Sequence, residues 1–306
     1  MKVLIADKVN QAGIDHLVNA GYDVEVKTGL SEDQLVEIIS AYDALAVRSA
    51  VQVTRPIIEA GANLKVIGRA GVGTDNIDKE AAAENEVAVV NTPEANVVSA
   101  AEQTFALMLA CARNVAQANA SMHAGRWDRS KYTGLELYGR TLGIIGCGKI
   151  GTLLAERAKA FGMKVHVFDP YADPDSITAI GAVLLPTLEE LLKTSDVISL
   201  HIPKTPETAG MICTEQIEQM KDDVIILNVA RGGICNEDAL LAGLNSGKIW
   251  AVGIDVYDPE PPVNCPLVGC ERAVLNPHLG ASTKEAQIRA GVQVAEAIVD
   301  ELMKFS

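Results

Sequence analysis

Short runs of apolar, β-branched residues alternate along the chain with stretches whose apolar positions recur at helical spacing. The first series of apolar runs covers residues 2–6, 23–26, 44–47, 65–67 and 87–90, and each is followed by a helical pattern. Helix starts are signalled by Ser31 with Gln34 and by Ser99 with Glu102, both at capping-box spacing. A second series predicts strands at 141–145, 164–168, 196–201, 223–229, 250–256 and 273–275. Between the series, residues 99–124 read as one long helix bridging two lobes. A last helix, 282–305, opens on Ser282 and Glu285. Strands that alternate with helices build parallel sheets with right-handed crossovers. The pattern therefore predicts an α/β protein with two doubly wound parallel-sheet domains, one of residues 1–94 completed by 278–306 and one of 95–277.

The 306 residues suit two domains of about 150 each. With 48% hydrophobic but only 4% aromatic residues, Val, Ile, Leu and Ala must fill the core, as they do in parallel sheets covered by helices. A net charge of −14 argues against nucleic-acid or anionic-membrane binding, since either surface needs a positive field. The opening residues Met1 to Asp7 read as a first strand rather than a leader, and no apolar stretch approaches the ~18 residues of a membrane span. Six scattered cysteines fit a reducing, cytoplasmic setting. Only Cys265 and Cys270 lie close together, with no clustered histidines, so no metal is expected.

The chain from Gly146 to Gly151 reads Gly146-Cys147-Gly148-Lys149-Ile150-Gly151, a G-x-G-x-x-G between a strand and a helix expected at 152–161. Glycines there let the backbone approach a pyrophosphate, and the helix N-terminus offers amides and a positive dipole. Asp169 ends the next strand, placed to accept hydrogen bonds from the adenosine ribose hydroxyls. Pro170 and Tyr171 follow it, with no arginine for a 2′-phosphate, which favours NAD over NADP. Thiol modification of Cys147, inside this loop, is expected to block NAD.

Three polar residues stand where strands of the second series end, the edge at which such sheets bind ligands. Arg231 follows an apolar strand in Asn228-Val229-Ala230-Arg231-Gly232-Gly233, and its planar fork suits a carboxylate. His278, in Asn276-Pro277-His278-Leu279-Gly280, is one of five histidines and could exchange a proton near neutral pH. Glu260 sits between Pro259 and Pro261, where a carboxylate beside an imidazolium would orient it and raise its pKa. Taken singly, these residues read as a salt-bridged arginine, a core histidine and a loop acid, and spacing alone does not bring them together.

The glycine loop, Asp169, the block beginning at Asn228, Asp255-Val256-Tyr257-Asp258-Pro259-Glu260-Pro261-Pro262 and Asn276-Pro277-His278-Leu279-Gly280-Ala281 occur in one order. In this the chain resembles the D-isomer-specific 2-hydroxyacid dehydrogenase family over nearly its whole length. The resemblance implies flavodoxin-like and Rossmann domains flanking a cleft, an NAD-dependent enzyme and a homodimer. It implies that Arg231 binds substrate, that His278 is the acid–base group and that Glu260 partners it. It further implies that Lys149, Ile150, Asp169, His201, Ile202, Pro203, Val229, Ala230, Asp255 and Gly280 line the NAD site beside Gly146, Gly148 and Gly151. In the first domain Arg48, Ser49, Arg69, Ala70, Gly71 and Val72 are the implied contacts for a small anionic 2-hydroxy or 2-keto acid.

Through Val47-Arg48-Ser49-Ala50, the run from Gly68 to Asp78, and Asn91-Thr92-Pro93 followed by Ser99-Ala100-Ala101-Glu102, the similarity is strongest to members acting on D-3-phosphoglycerate in the route to serine. Many of those carry another basic residue after the Arg-Ser pair, where Ala50, Val51 and Gln52 stand here. Arg129 and Lys131 are candidates to supply that charge across a dimer interface, against their reading as a solvated charge run. Glyoxylate, hydroxypyruvate and D-lactate dehydrogenases are the alternatives within the family, and a dinucleotide-sensing binding protein is the alternative outside catalysis. Longer members carry a serine-binding C-terminal domain. Because only one helix follows His278, activity is expected to be insensitive to L-serine.

Overall fold

The computed structural model describes residues 1–305; Ser306, the last residue of the expected 278–306 segment, lies outside the described residues. The chain divides into two compact units, one of residues 1–97 completed from 281 onward and one of 98–280. Both divisions fall three residues beyond the positions read from the sequence. The second is displaced because the Leu279 and Gly280 amides are bonded to Asp255, which keeps them with the strands before them.

In the first unit β1 (Lys2–Ile5), β2 (Asp23–Val26), β3 (Ala44–Val47), β4 (Val66–Arg69) and β5 (Ala88–Asn91) form a parallel sheet of order β2-β1-β3-β4-β5. This is the flavodoxin-like doubly wound order. Alternate residues point to opposite faces. Leu4, Leu45 and Ile67 enter one buried layer, and Val3, Ile5, Ala44 and Ala46 the other. Helices α1 (Gln11–Asn19), α2 (Glu32–Ile38), α3 (Arg55–Ala60) and α4 (Lys79–Glu84) alternate with the strands. The capping box at Ser31 and Gln34 forms as expected.

The second unit contains α5 (Val97–Arg113, of which Val97 itself groups with the first unit), α6 (Val115–His123), β6 (Thr141–Ile145), α7 (Lys149–Ala160), β7 (Lys164–Phe168), α8 (Pro174–Ala179), β8 (Val183–Leu184), α9 (Leu188–Thr194), β9 (Val197–Leu200), α10 (Thr214–Gln219), β10 (Val224–Asn228), α11 (Glu237–Ser246), β11 (Ile249–Ile254) and β12 (Ala273–Leu275). Its parallel sheet runs β12-β11-β10-β9-β6-β7-β8. Strand order reverses between β6 and β9, so the loops after these two strands diverge and leave a crevice at the carboxyl edge.

Helix α12 (Lys284–Met303) returns the chain to the first unit, where Val294, Ala295, Ile298 and Leu302 are buried beside β1, β3 and β4. Gly68 of β4 is needed there, because a Cβ would lie 2.6–2.8 Å from Ile298 and Val294.

Several local expectations are corrected. The long helix over 99–124 is two helices, α5 and α6, interrupted at Asn114, whose φ of 53° breaks the helical backbone. Ser99 does not stand at a helix start: it is buried inside α5, which begins two residues earlier. Helix α12 is capped by Thr283, whose hydroxyl accepts from the Ala286 amide at 3.1 Å, and not by Ser282. Helix α7 starts at Lys149, directly on the glycine loop, rather than at 152. Strand β8, two residues long, was too short to leave a period in the sequence.

Candidate active site

Strands β10, β11 and β12 are neighbours in one parallel register, with Asn228 opposite Ile254 and Ile254 opposite Leu275. The segments that follow them therefore leave the sheet side by side. After β10, the buried Asn228 shapes the turn: its Oδ1 accepts from the Ala230 amide at 3.1 Å and its Nδ2 donates to the Arg231 carbonyl at 2.8 Å. Such an Asx-type turn presents Arg231 at the carboxyl edge. The half-buried Arg231 donates through Nη1 to the Ala230 carbonyl at 2.7 Å.

After β11 comes the segment carrying Glu260, and after β12 the one carrying His278. The structure brings these two together, with His278 Nδ1 2.7 Å from Glu260 Oε2. Glu260 is held from its other oxygen, which accepts from the Tyr257 amide at 3.0 Å. Both side chains are solvent-accessible, so a proton can reach the pair. A carboxylate facing Nδ1 selects the tautomer with hydrogen on that nitrogen and leaves Nε2 as the exchanging atom.

The backbone at His278 is left-handed, with φ 52°, which costs a residue with a Cβ about 1 kcal/mol. What holds it there is Asp255. This residue, expected among the NAD contacts, is fully buried, and its two oxygens accept from the Leu279 and Gly280 amides, each at 2.8 Å. Burial pushes the Asp255 carboxyl up from its ordinary value, while the two amides pull it back down. It fastens the His278 loop to the end of β11.

At the switch point, Gly146 adopts φ 85° with the His201 carbonyl and Ile202 packed closely against it, and Gly151 lies against the Gly146 carbonyl. Gly148, by contrast, has open space where a Cβ would be and is exposed. It is the N-cap of α7 and supplies no side chain to the first amides of that helix. Uncapped amides beside an open glycine fit a pyrophosphate. Lys149 is exposed and Ile150 half-buried on the first turn of α7.

Asp169 also organises its own surroundings. Oδ2 accepts from the Cys147 amide and Oδ1 from the Tyr171 amide, both at 2.9 Å, so it caps the turn and ties down the glycine loop. Each oxygen retains a lone pair for a ribose hydroxyl. Beyond β9, His201 bonds through Nε2 to Ser199 Oγ at 2.9 Å, and burial pushes its imidazole down to about 4. Ile202, Val229 and Ala230 are half-buried, Pro203 is exposed, and Gly280 is buried.

In the first unit the candidate substrate residues cluster at the carboxyl ends of β3 and β4. Asp7, a residue the sequence did not single out, accepts from the Arg48 and Ala50 amides at 3.1 and 3.0 Å. Asn76 donates to the carbonyls of Arg48 and Val51 at 2.8 and 2.7 Å, so two buried or half-buried groups shape the loop around the exposed Ser49. Asp7 could have been noticed as an acid closing a buried strand. The Arg48 guanidinium donates to the Lys8 carbonyl at 3.3 Å. Arg69 lies over Gly71, where any side chain would collide with its guanidinium. Ala70 is buried, and the Val72 carbonyl accepts from Asn91 at 2.5 Å.

Lys131 is paired with Glu271 of its own chain at 2.6 Å, which fits its reading as a surface charge; Arg129 is exposed. Among the described residues all six cysteines are free thiols, and no helix is long and apolar enough to cross a membrane.

A family model described as D-isomer specific 2-hydroxyacid dehydrogenase, NAD binding domain, matches residues 105–280. The D-3-phosphoglycerate dehydrogenase of Methanocaldococcus jannaschii is 49% identical over 298 residues, which cover 97% of this chain and 57% of that protein. The chain spans about half the length of the curated relatives it matches. Among solved structures, the TT0316 protein of Thermus thermophilus superposes with a TM-score of 0.91 at 35% identity, covering 99% of this chain and 97% of that one. A glyoxylate reductase from Paecilomyes thermophila does so at 0.87 and 30%, covering 97% and 94%.

Proposed function

The chain belongs to the D-isomer specific 2-hydroxyacid dehydrogenase family, and we propose that it interconverts 3-phosphohydroxypyruvate and D-3-phosphoglycerate, in the route to serine. The observation that carries the chemistry is the 2.7 Å contact between His278 and Glu260 at the carboxyl edge of the second sheet. NAD, when bound, supplies or takes up the hydride at C2. In reduction, protonated His278 gives a proton from Nε2 to the C2 oxygen, and Glu260 stabilises the imidazolium and keeps the ring in place. In oxidation, neutral His278 takes the hydroxyl proton at the same atom. Arg231 orients the substrate carboxylate through both transfers.

The glycine loop, the first turn of α7 and Asp169 would hold the dinucleotide. Arg48 and Arg69, with Ser49 and residues 70–72, are our candidates for the far, phosphorylated end of the substrate. The stretch Ala50-Val51-Gln52, without a further cation, favours a second reading as a reductase of a less charged 2-keto acid such as glyoxylate. NADH oxidation measured against 3-phosphohydroxypyruvate, hydroxypyruvate, glyoxylate and pyruvate separates the two. A kcat/KM highest for the phosphorylated acid supports the first. NADH binding with no turnover of any of the four would support a dinucleotide sensor instead.

We also infer a homodimer in a cytoplasmic setting. The exposed Val115, Met122, Trp127 and Tyr138 give the 115–138 stretch an apolar surface suited to a second copy, and six free thiols suit a reducing compartment. Light scattering on the purified chain tests the first inference; a monomer at micromolar concentration would refute it.

A further inference from the structure

Glu260 is carried by a segment with almost no scaffold of its own. Among the described residues, no backbone–backbone hydrogen bond involves positions 258–264, and all of them are exposed. Its two fixed points through Glu260 are the Tyr257 amide and His278. A third lies outside the chemistry: the Asp258 carboxylate is ion-paired with Lys204.

Lys204 stands on a firm base. The Thr205 amide donates to Thr208 Oγ1 at 2.8 Å, and that hydroxyl donates to the Pro203 carbonyl at 2.7 Å. The Gly210 amide then reaches the Gly233 carbonyl at 2.8 Å, which joins the segment after β9 to the one after β10. Gly233 is also where the pair crosses: a Cβ there, already strained at φ 76°, would lie 3.0 Å from both Lys204 Nζ and Asp258 Oδ2. A side chain at Gly232 would run into the Tyr257 carbonyl. Two glycines thus let the Arg231 loop, the Glu260 loop and Lys204 close on one another.

We propose that Lys204 is a positioning residue whose ion pair with Asp258 clasps the 257–260 segment and so holds Glu260 against His278. The proposal rests on the reading that this pair handles the proton. An exposed ion pair adds little to global stability and is screened by salt. Its effect should therefore appear in kcat and not in the melting temperature.

The test uses Lys204→Met, Asp258→Asn and the swap Lys204→Asp/Asp258→Lys, with NADH and 3-phosphohydroxypyruvate, or whichever of the other three 2-keto acids turns over fastest. Each single variant should lose about three- to fivefold in kcat, the most that an exposed pair transmits, with NADH affinity unchanged. The swap should regain most of the loss. At about 1 M salt, where the Debye length falls to about 3 Å, the parent should approach the variants. Placed on Glu260→Gln, Lys204→Met should have no further effect, because the residue it positions is already disabled.

Hydrogen exchange of the Tyr257 amide, which donates to Glu260, followed by NMR gives a readout without turnover and should quicken in both single variants. Unchanged exchange, or a kcat equal to the parent's at low salt, would overturn the clasp, as would a full loss persisting in the Glu260→Gln background. His278→Ala keeps the two readings apart. Normal turnover in that variant would refute the proton-transfer reading, while exchange of the Tyr257 amide would still decide whether the clasp exists.

Discussion

Asp255→Asn changes a charge and one atom's identity, and it should disable the His278 loop without disturbing the sheet. The carboxylate has two acceptor oxygens, one for the Leu279 amide and one for the Gly280 amide, each at 2.8 Å. Asparagine keeps one acceptor and turns an NH2 toward the other amide. A hydrogen bond to a charged acceptor is worth about 1.5–3 kcal/mol, and loss of the buried charge offsets part of that. A net loss of about 2 kcal/mol lowers the melting temperature of a unit this size by about 4–8 °C. The larger effect falls on catalysis. With one amide released, the ~1 kcal/mol preference of His278 for a right-handed backbone is no longer overcome. Rotation there carries Nδ1 away from Glu260, and a displacement of about 1 Å at a reacting group costs on the order of 10²-fold. Steady-state NADH oxidation should show kcat down by about 10–10²-fold, while fluorescence titration gives an unchanged NADH affinity. A kcat within about twofold of the parent's, beside the expected thermal shift, would mean that Asp255 fastens nothing that the chemistry uses.

Asp169→Ala should weaken NAD(H) binding far more than NADP(H), since the ribose loses its acceptor while repulsion of a 2′-phosphate is relieved; equal losses would leave Asp169 as a turn residue only. Cys147, whose thiol burial pushes above its ordinary value of 9.0, should alkylate slowly at neutral pH, faster as pH rises, and more slowly with bound NAD; labelling indifferent to NAD would detach it from the cofactor site. Because burial holds His201 near 4 against an ordinary 6.5, the unfolded chain binds its proton more readily. The stability it contributes is present above pH 6.5 and lost as pH falls toward 4, at most about 3 kcal/mol. Urea unfolding of His201→Gln should show a shallower fall across that window, and an identical slope would refute the assignment.

Strands such as β3 and β6 were legible because parallel strands buried on both faces read as unbroken apolar runs, and several bounds, those of β2, β3, β6, β7 and β12 among them, agree with the sequence to the residue. Helix ends were not, because a cap depends on backbone geometry that a serine and a glutamate at the right spacing do not dictate. Ser99 is buried in a helix already begun, and Thr283 displaces Ser282. Periodicity passes straight through Asn114, since one left-handed residue between two amphipathic helices leaves the apolar count intact.

Within the site, motif order pointed to the His278–Glu260 contact, but no spacing could give the distance. Asp255 was legible as a site residue, but its bonds to the Leu279 and Gly280 amides were not, because a strand-end acid looks the same in sequence whatever it faces. Lys204 and Asn76 carry no signal of their own, and Asp7 only that of an acid closing a buried strand; their importance lies in which loop they hold.

The central claim is hydride transfer to C2 with the proton delivered by His278, and isotope transfer tests it most directly. NADH deuterated at the transferable position of its nicotinamide ring is incubated with 3-phosphohydroxypyruvate and the chain, and the product is resolved by NMR and by chiral analysis. Deuterium at C2 of D-3-phosphoglycerate, formed by the parent and about 10²-fold or more slowly by His278→Ala, is the predicted result. Deuterium absent from C2, a product of L configuration, or equal rates for the two proteins would contradict the account.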